Sequence, residues 1–294
     1  RGQVERARVY ASALGIYEFE INGQAGSDIH FAPGWTSYQE NLQYQTYDIT
    51  NLLQEDNEIV FTVGNGWYKG ILGFFNQGNH YGNRTALIAQ IEVTYTNGEV
   101  ERICTDASWI STTGEIRYSE LYHGEIIDKT IARQEEKPAV FYPHTKEILK
   151  AQIDEAVRIT QRIKGQKRII TPKQEVVIDF GQNLTGVVEF HTKQPRGTKI
   201  VISHAEALDQ DGNLYTANLR TAKCTDTFIC SGELDYFRPK FTFHGFRYIA
   251  IEGLGEEVDP ASITACVMHT DLKKTASFWC NDERVNRLMQ NVDW

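Results

Sequence analysis

The feature that most constrains this chain is a two-residue alternation of apolar and polar side chains, cut by a turn signal roughly every ten residues. In "YEFEING", Tyr17, Phe19 and Ile21 take one face of a strand and Glu18 and Glu20 the other, before a turn at Asn22-Gly23. "ALIAQIEVTYTNGEVERI" repeats the pattern: Leu87, Ala89, Ile91, Val93 and Tyr95 alternate up to a second turn at Asn97-Gly98, and a return strand follows. Strands joined by such turns are antiparallel, and each leaves an apolar face that a second layer must cover. Nothing alternates strands with long helices as βαβ units would. The pattern therefore predicts an all-β chain: two tandem antiparallel β-sandwich domains, jelly-roll-like, with a C-terminal helix.

At 294 residues each of two domains can bury its own core. The first is placed over residues 1–131. A connector follows over 132–165, where "RQEEKPAVFYPHTKEILKAQIDE" is charged, carries two prolines and has no clean period. Within it Lys146–Glu155 reads as a short helix, and Val157, Ile159 and Ile163 then favour a strand. The second domain spans 166–271, through "VVIDFGQNLTGVVEF", "CTDTFICSG", "KFTFHGFRYIAIEG" and "SITACVMHT". Residues 272–294 form a linker and helix, with Asn281 as N-cap, Asp282 and Glu283 in the first turn, and Val285, Leu288, Met289 and Val292 as one apolar stripe. That stripe needs a surface to cover, either on its own domain or on a further one beyond Trp294.

A net charge of -9 and a pI near 5.4 leave no basic stripe for nucleic acid. No apolar run of about 18 residues is present to span a membrane. Five scattered cysteines (Cys104, Cys224, Cys230, Cys266, Cys280) are odd in number and lack C-x2-C spacing. They read as reduced thiols in a cytoplasmic protein, the alternative being an exported one whose signal peptide has been removed; Cys224 and Cys230 are expected to share a strand face as small buried hydrophobes.

The loop "GNGWYKGILGFFNQGNHYGNR" (64–84) packs glycines among aromatics and asparagines. Aromatic faces stack on sugar C–H faces while amides bond hydroxyls, so Trp35, Asn65, Trp67, Tyr68, Asn76 and Tyr81 are the carbohydrate-binding candidates, with Tyr38 beside Trp35. The competing reading is that these rings cap the end of a sandwich core. "ALDQDGNLYTANLR" sets Asp209, Asp211 and Asn213 at alternate positions, but Arg220 stands where a calcium loop has its glutamate, so Asp211-Gly212 reads as a hairpin turn and no metal ligand is assigned. His204 and Glu206 lie two apart on a strand, as an acid/base pair or a hydrogen-bonded surface pair; His244 and Arg247 follow in "HGFRYIAIEG", with Arg247 as an ion-pair partner. No G-x-S-x-G, Walker, H-E-x-x-H or dinucleotide motif occurs.

In matching order, "LGIYEFEINGQ", "APGWTSYQENLQYQTYDIT", "GNGWYKGILG", "DFGQNLTGVVEF", "HAEALDQDGNLYTANLR", "TDTFICSG" and "FTFHGFRYIAIEG" resemble the bacterial α-L-rhamnosidases over nearly the whole chain. The resemblance implies a galactose-binding-like sandwich in the first half, and in the second the β-domain that precedes a catalytic barrel of helical hairpins. "SFWCNDERVNRLMQNVDW" matches the lead-in to that barrel, so the stripe is expected to meet a partner past Trp294. It further implies that the parent hydrolyses terminal α-L-rhamnose from glycosides with inversion. The catalytic carboxylates would lie in the barrel, so no catalytic residue is assigned here and the 294 residues are expected to be silent. His204, Glu206, Arg220 and Arg247 would face the barrel. Calcium with rhamnose on the first sandwich is implied by the resemblance alone; no cofactor is assigned. The alternative is a free-standing carbohydrate-binding module or lectin.

Overall fold

The computed structural model describes residues 2–72, 74–134 and 136–294; Gly73 of the glycine-rich loop lies outside them. The first strands are β1 (Val4–Leu14), β2 (Ile16–Ile21), β3 (Gln24–Ala25), β4 (Leu42–Asp48), β5 (Ile59–Gly64), β6 (Ala86–Tyr95) and β7 (Val100–Cys104), with a one-turn helix α1 (Gly66–Lys69) after β5. Next come β8 (Ile110–Ser111), β9 (Ile116–Glu120), β10 (Gly124–Asp128), β11 (Lys137–Pro138) and β12 (Leu149–Ala151). The remainder is β13 (Val157–Lys164), β14 (Lys167–Ile170), β15 (Val176–Lys193), β16 (Lys199–Ala205), β17 (Thr225–Ile229), β18 (Leu234–Phe237), β19 (His244–Glu252), β20 (Ile263–Thr270) and the helix α2 (Glu283–Asp293). The fold is all-β, as the alternation predicts.

One sandwich packs a five-stranded sheet, ordered β12-β4-β1-β6-β7, against the sheet β3-β2-β5. The inward row of β1 is mostly small (Ala7, Val9, Ala11, Ala13), which leaves room for the rings of Tyr17, Phe19 and Tyr47. Phe19 sits 4.8 Å from Tyr47 and 5.3 Å from Phe61, ring centre to ring centre. The alternating residues Ala89, Ile91, Val93 and Tyr95 of β6 are buried as expected. Asn22 and Gly23 both take positive φ (53° and 75°), the pair of left-handed residues a twist-matched two-residue hairpin needs.

The second half is one sheet of ten strands, ordered β13-β20-β15-β19-β16-β17-β10-β9, with β14 and β18 also pairing β15. The 18-residue β15 changes register between Asp179 and Leu184, so one strand serves both parts of the sheet. Phe180, Phe190, Phe228, Phe237 and Phe246 fill its core. A third apolar cluster, with Ile16, Phe31 and Leu121 against Val187, Phe241 and Met268, joins the two halves.

Three local expectations are corrected. Leu149–Ala151, expected within a helix, is the strand β12, which pairs in parallel with Leu42–Tyr44 at the sheet edge; satisfying an open strand edge outweighs helix propensity. Cys224 does not share the burial of Cys230: it precedes β17 with φ 45° and is half-exposed. The N-cap of α2 is Asp282, whose carboxylate accepts the Arg284 N–H at 2.9 Å. No residue of α2 is buried; Leu288 is 58% and Val292 69% exposed, and Trp294 donates its indole N–H to the Asn183 carbonyl at 2.6 Å.

Candidate functional site

The carbohydrate candidates divide on folding. The turn of α1 carries Trp67 and Tyr68 from β5 toward the segment holding Trp35. Trp35 stacks on Trp67 at 6.0 Å and 10°, and donates its indole N–H to the Tyr81 hydroxyl at 3.1 Å. Tyr81 in turn meets Tyr38 at 4.8 Å, and both lie against Tyr68. Trp67, Tyr68 and Tyr81 therefore form a wall behind Trp35, which is 54% exposed and offers an indole to solvent. Asn65 instead donates to Glu120 at 2.9 Å, and the other oxygen of Glu120 accepts the Ile71 N–H at 2.7 Å. Glu120 thus locks the loop's shape, and Asn65 is part of that lock. Asn76 stays exposed on the loop, with φ 55°.

On the second half, Arg247 is an ion-pair partner: its Nε and Nη2 donate to the two oxygens of Asp179 at 2.9 and 3.0 Å. Burial works to raise the Asp179 carboxyl, but the bonds from Arg247 and from the Gly181 N–H outweigh it and lower its pKa. Glu206 is exposed and accepts from Asn183 at 3.3 Å, beside the carbonyl that receives Trp294. Arg220 closes a 3-10 turn on the surface with φ 57°. His204 points inward and is fully buried, so the expected surface pair with Glu206 does not form.

His204 belongs to a buried cluster with Asp226 and His244, contributed by β16, β17 and β19. The two imidazoles stack at 4.1 Å. His244 Nε2 lies 3.2 Å from Asp226 Oδ2 and His204 Nε2 lies 3.8 Å from the same oxygen. Asp226 Oδ1 accepts the Glu125 N–H at 2.8 Å. Burial, then the charge of His244, pushes His204 down to about 3. Burial opposes charge on His244 too, but Asp226 holds it up at about 9. Glu125 is also fully buried, and burial lifts its carboxyl to about 8 against the Phe241 and Lys240 N–H groups it accepts.

The sequence reading missed Asp226, Glu120 and Glu125. A signal existed for Asp226: in "TDTFI" it holds the same inward phase as Phe228, where an apolar residue is expected. Chemically, these buried carboxylates face backbone N–H groups of neighbouring strands and loops. Between the halves, a cavity of about 290 Å³ is lined by polar groups that bond to one another, the His30 ring to Glu18 at 2.8 Å and Lys240 to Glu20 at 3.0 Å.

Residues 2–161 match the family described as the alpha-L-rhamnosidase N-terminal domain, and residues 169–269 match the bacterial alpha-L-rhamnosidase concanavalin-like domain. The alpha-L-rhamnosidase of Streptomyces avermitilis is 38% identical over 99% of this chain and 30% of its own length. One from Formosa agariphila is 31% identical over 99% of this chain and 33% of its own length. Among solved structures, native alfa-L-rhamnosidase from Aspergillus terreus covers 100% of this chain and 36% of its own, with a TM-score of 0.93 and 36% identity. The Streptomyces avermitilis enzyme complexed with L-rhamnose gives a TM-score of 0.91 at 36% identity, covering 100% of this chain and 30% of its own. The chain spans about a third of the length of the curated relatives it matches. It belongs to the alpha-L-rhamnosidase family, matching that family's N-terminal and concanavalin-like domains.

Proposed function

We propose that these 294 residues are the non-catalytic β portion of an α-L-rhamnosidase, bracing a helical catalytic domain that removes terminal α-L-rhamnose from glycosides with inversion. The observation that carries this is the end-to-end match, with 100% of the chain superposing on about a third of a solved relative. The uncovered stripe of α2, beside Trp294 on Asn183, supports a docking face there, with Glu206 and Arg247 on the neighbouring surface. An inverting glycosidase holds two carboxyl groups roughly 6.5–9.5 Å apart across the scissile bond. The buried carboxylates of this chain hold backbone instead. The test is p-nitrophenyl α-L-rhamnoside incubated with the purified chain. No release above the blank is expected; turnover that co-purifies with the chain and falls in Glu120→Gln would place the chemistry here.

A second reading, sugar binding by the first sandwich, is favoured by the open indole of Trp35 backed by Trp67. L-rhamnose is the ligand to try, because a relative is solved with it. In calorimetry Trp35→Ala should lower the affinity roughly tenfold, as loss of a stacking ring removes about 1–1.5 kcal/mol. Equal affinity in wild type and variant removes this site.

A further inference from the structure

We propose that His204, Asp226 and His244 form a binding site for a divalent transition-metal ion, with zinc as the fitting case. The three side chains come from neighbouring strands, are fully buried, and have ligand atoms that all lie within 4.8 Å of one another. A tetrahedral zinc site with bonds of 2.0–2.1 Å separates its donors by roughly 3.3 Å. The two distances to Asp226 Oδ2, 3.2 and 3.8 Å, already bracket that figure.

The orientation of each group is what points to a cation. His204 Nδ1 lies 3.0 Å from the Cys224 carbonyl and must donate its proton there, so Nε2 presents a lone pair. Asp226 Oδ1 is taken by the Glu125 N–H, which leaves Oδ2 facing the imidazoles. His204 Nε2 thus confronts a carboxylate oxygen, lone pair to lone pair, and among the described residues has no hydrogen-bond partner although wholly buried. His244 Nε2 meets the same oxygen at 3.2 Å but leaves the His204 lone pair unmatched, a cost that a cation held between the three groups would remove. Imidazole ligands whose second nitrogen is fixed by a backbone carbonyl are the usual outer support of a metal site. Two imidazoles and one carboxylate select zinc or cobalt over calcium or magnesium, which take all-oxygen shells.

The experiment strips the chain with a chelator, then titrates it with Zn²⁺ and, separately, with Co²⁺. One equivalent of Zn²⁺ should bind and raise the unfolding temperature, and Co²⁺ should give the visible absorption of a four-coordinate ion. His204→Gln and Asp226→Asn should each weaken uptake roughly tenfold or more, with folding checked by circular dichroism. Zinc-edge X-ray absorption on the wild-type complex needs no variant, and should show two imidazoles with donors near 2.0–2.1 Å. No uptake, a spectrum without imidazole scattering, or uptake unchanged in a folded His204→Gln chain would each overturn the site and leave a proton-linked core network in its place.

Discussion

Each half of the molecule buries a polar network, and the two are built on opposite terms. In the first sandwich, the Tyr17 hydroxyl reaches the Ala11 carbonyl at 3.0 Å, Gln45 Oε1 at 2.9 Å and the Tyr47 hydroxyl at 2.9 Å. Every member is neutral, and Gln45 is further tied to the Pro33 carbonyl. In the second half, His204, Asp226, His244 and Glu125 are ionisable and fully buried, and two ring nitrogens have no hydrogen-bond partner among the described residues. A satisfied neutral network fixes a core at little risk, whereas a buried ionisable cluster with open valences marks where a fold holds something in reserve. The aromatic wall at Trp35 is different again, since its groups are satisfied and one of them faces solvent.

The contrast can be broken by substitution. The largest effect is expected from Asp226→Ala, which leaves the buried His244 ring and the Glu125 N–H without their carboxylate partner; about 3–5 kcal/mol of stability should go, read as a fall in the urea midpoint. A loss under about 1 kcal/mol would erase the distinction between the two networks. Tyr17→Phe removes one hydroxyl from the neutral network and should cost about 1–2 kcal/mol in the same measurement. Arg247→Ala, at a partly exposed ion pair, should cost about 1 kcal/mol at neutral pH. Because the Asp179 carboxyl is depressed in the fold, this contribution is complete above its unfolded value of about 3.9 and fades as pH falls through the lower folded one. The gap between wild type and Arg247→Ala should therefore hold steady from pH 7 to about 5 and close toward pH 2. The smallest change is Trp35→Ala, within about 0.5 kcal/mol in stability, so that any loss of sugar affinity there reads as binding and not as unfolding.

The strands were legible because burial obeys the period: Tyr17, Phe19 and Ile21, and again Ala89, Ile91, Val93 and Tyr95, sit inside as their alternation demands. The aromatic wall was legible in part, since Trp67, Tyr68 and Tyr81 share a loop, while the partner that locks the loop, Glu120, is 55 residues from Asn65 and left no local mark. The histidine cluster was not read. Ile200, Ile202 and His204 on β16, Asp226 and Phe228 on β17, and His244 and Phe246 on β19 each put a polar residue on an inward phase. Only the pairing of β16 with β17 and with β19 brings those phases together, and pairing is a tertiary fact that no single window contains. The helix expected over Lys146–Glu155 failed for a related reason: an open edge at β4 recruited the segment.

The path of the chain between residues 116 and 151 ties the halves together. β10 leaves the first half and lies parallel to β17, Ile126 beside Thr227, where Gly124 passes so close that a Cβ would stand 2.0 Å from the Thr225 carbonyl oxygen. The chain then comes back, and β12 lies parallel to β4. The second sheet thus takes edge strands from the first stretch of sequence, while the connector supplies the outer strand of the first sheet, as two hands do when the fingers interlock. Cutting the largely exposed 136–148 stretch of the crossover would nick the backbone without freeing either half, and a gene splice made there would hand its recipient an incomplete sheet.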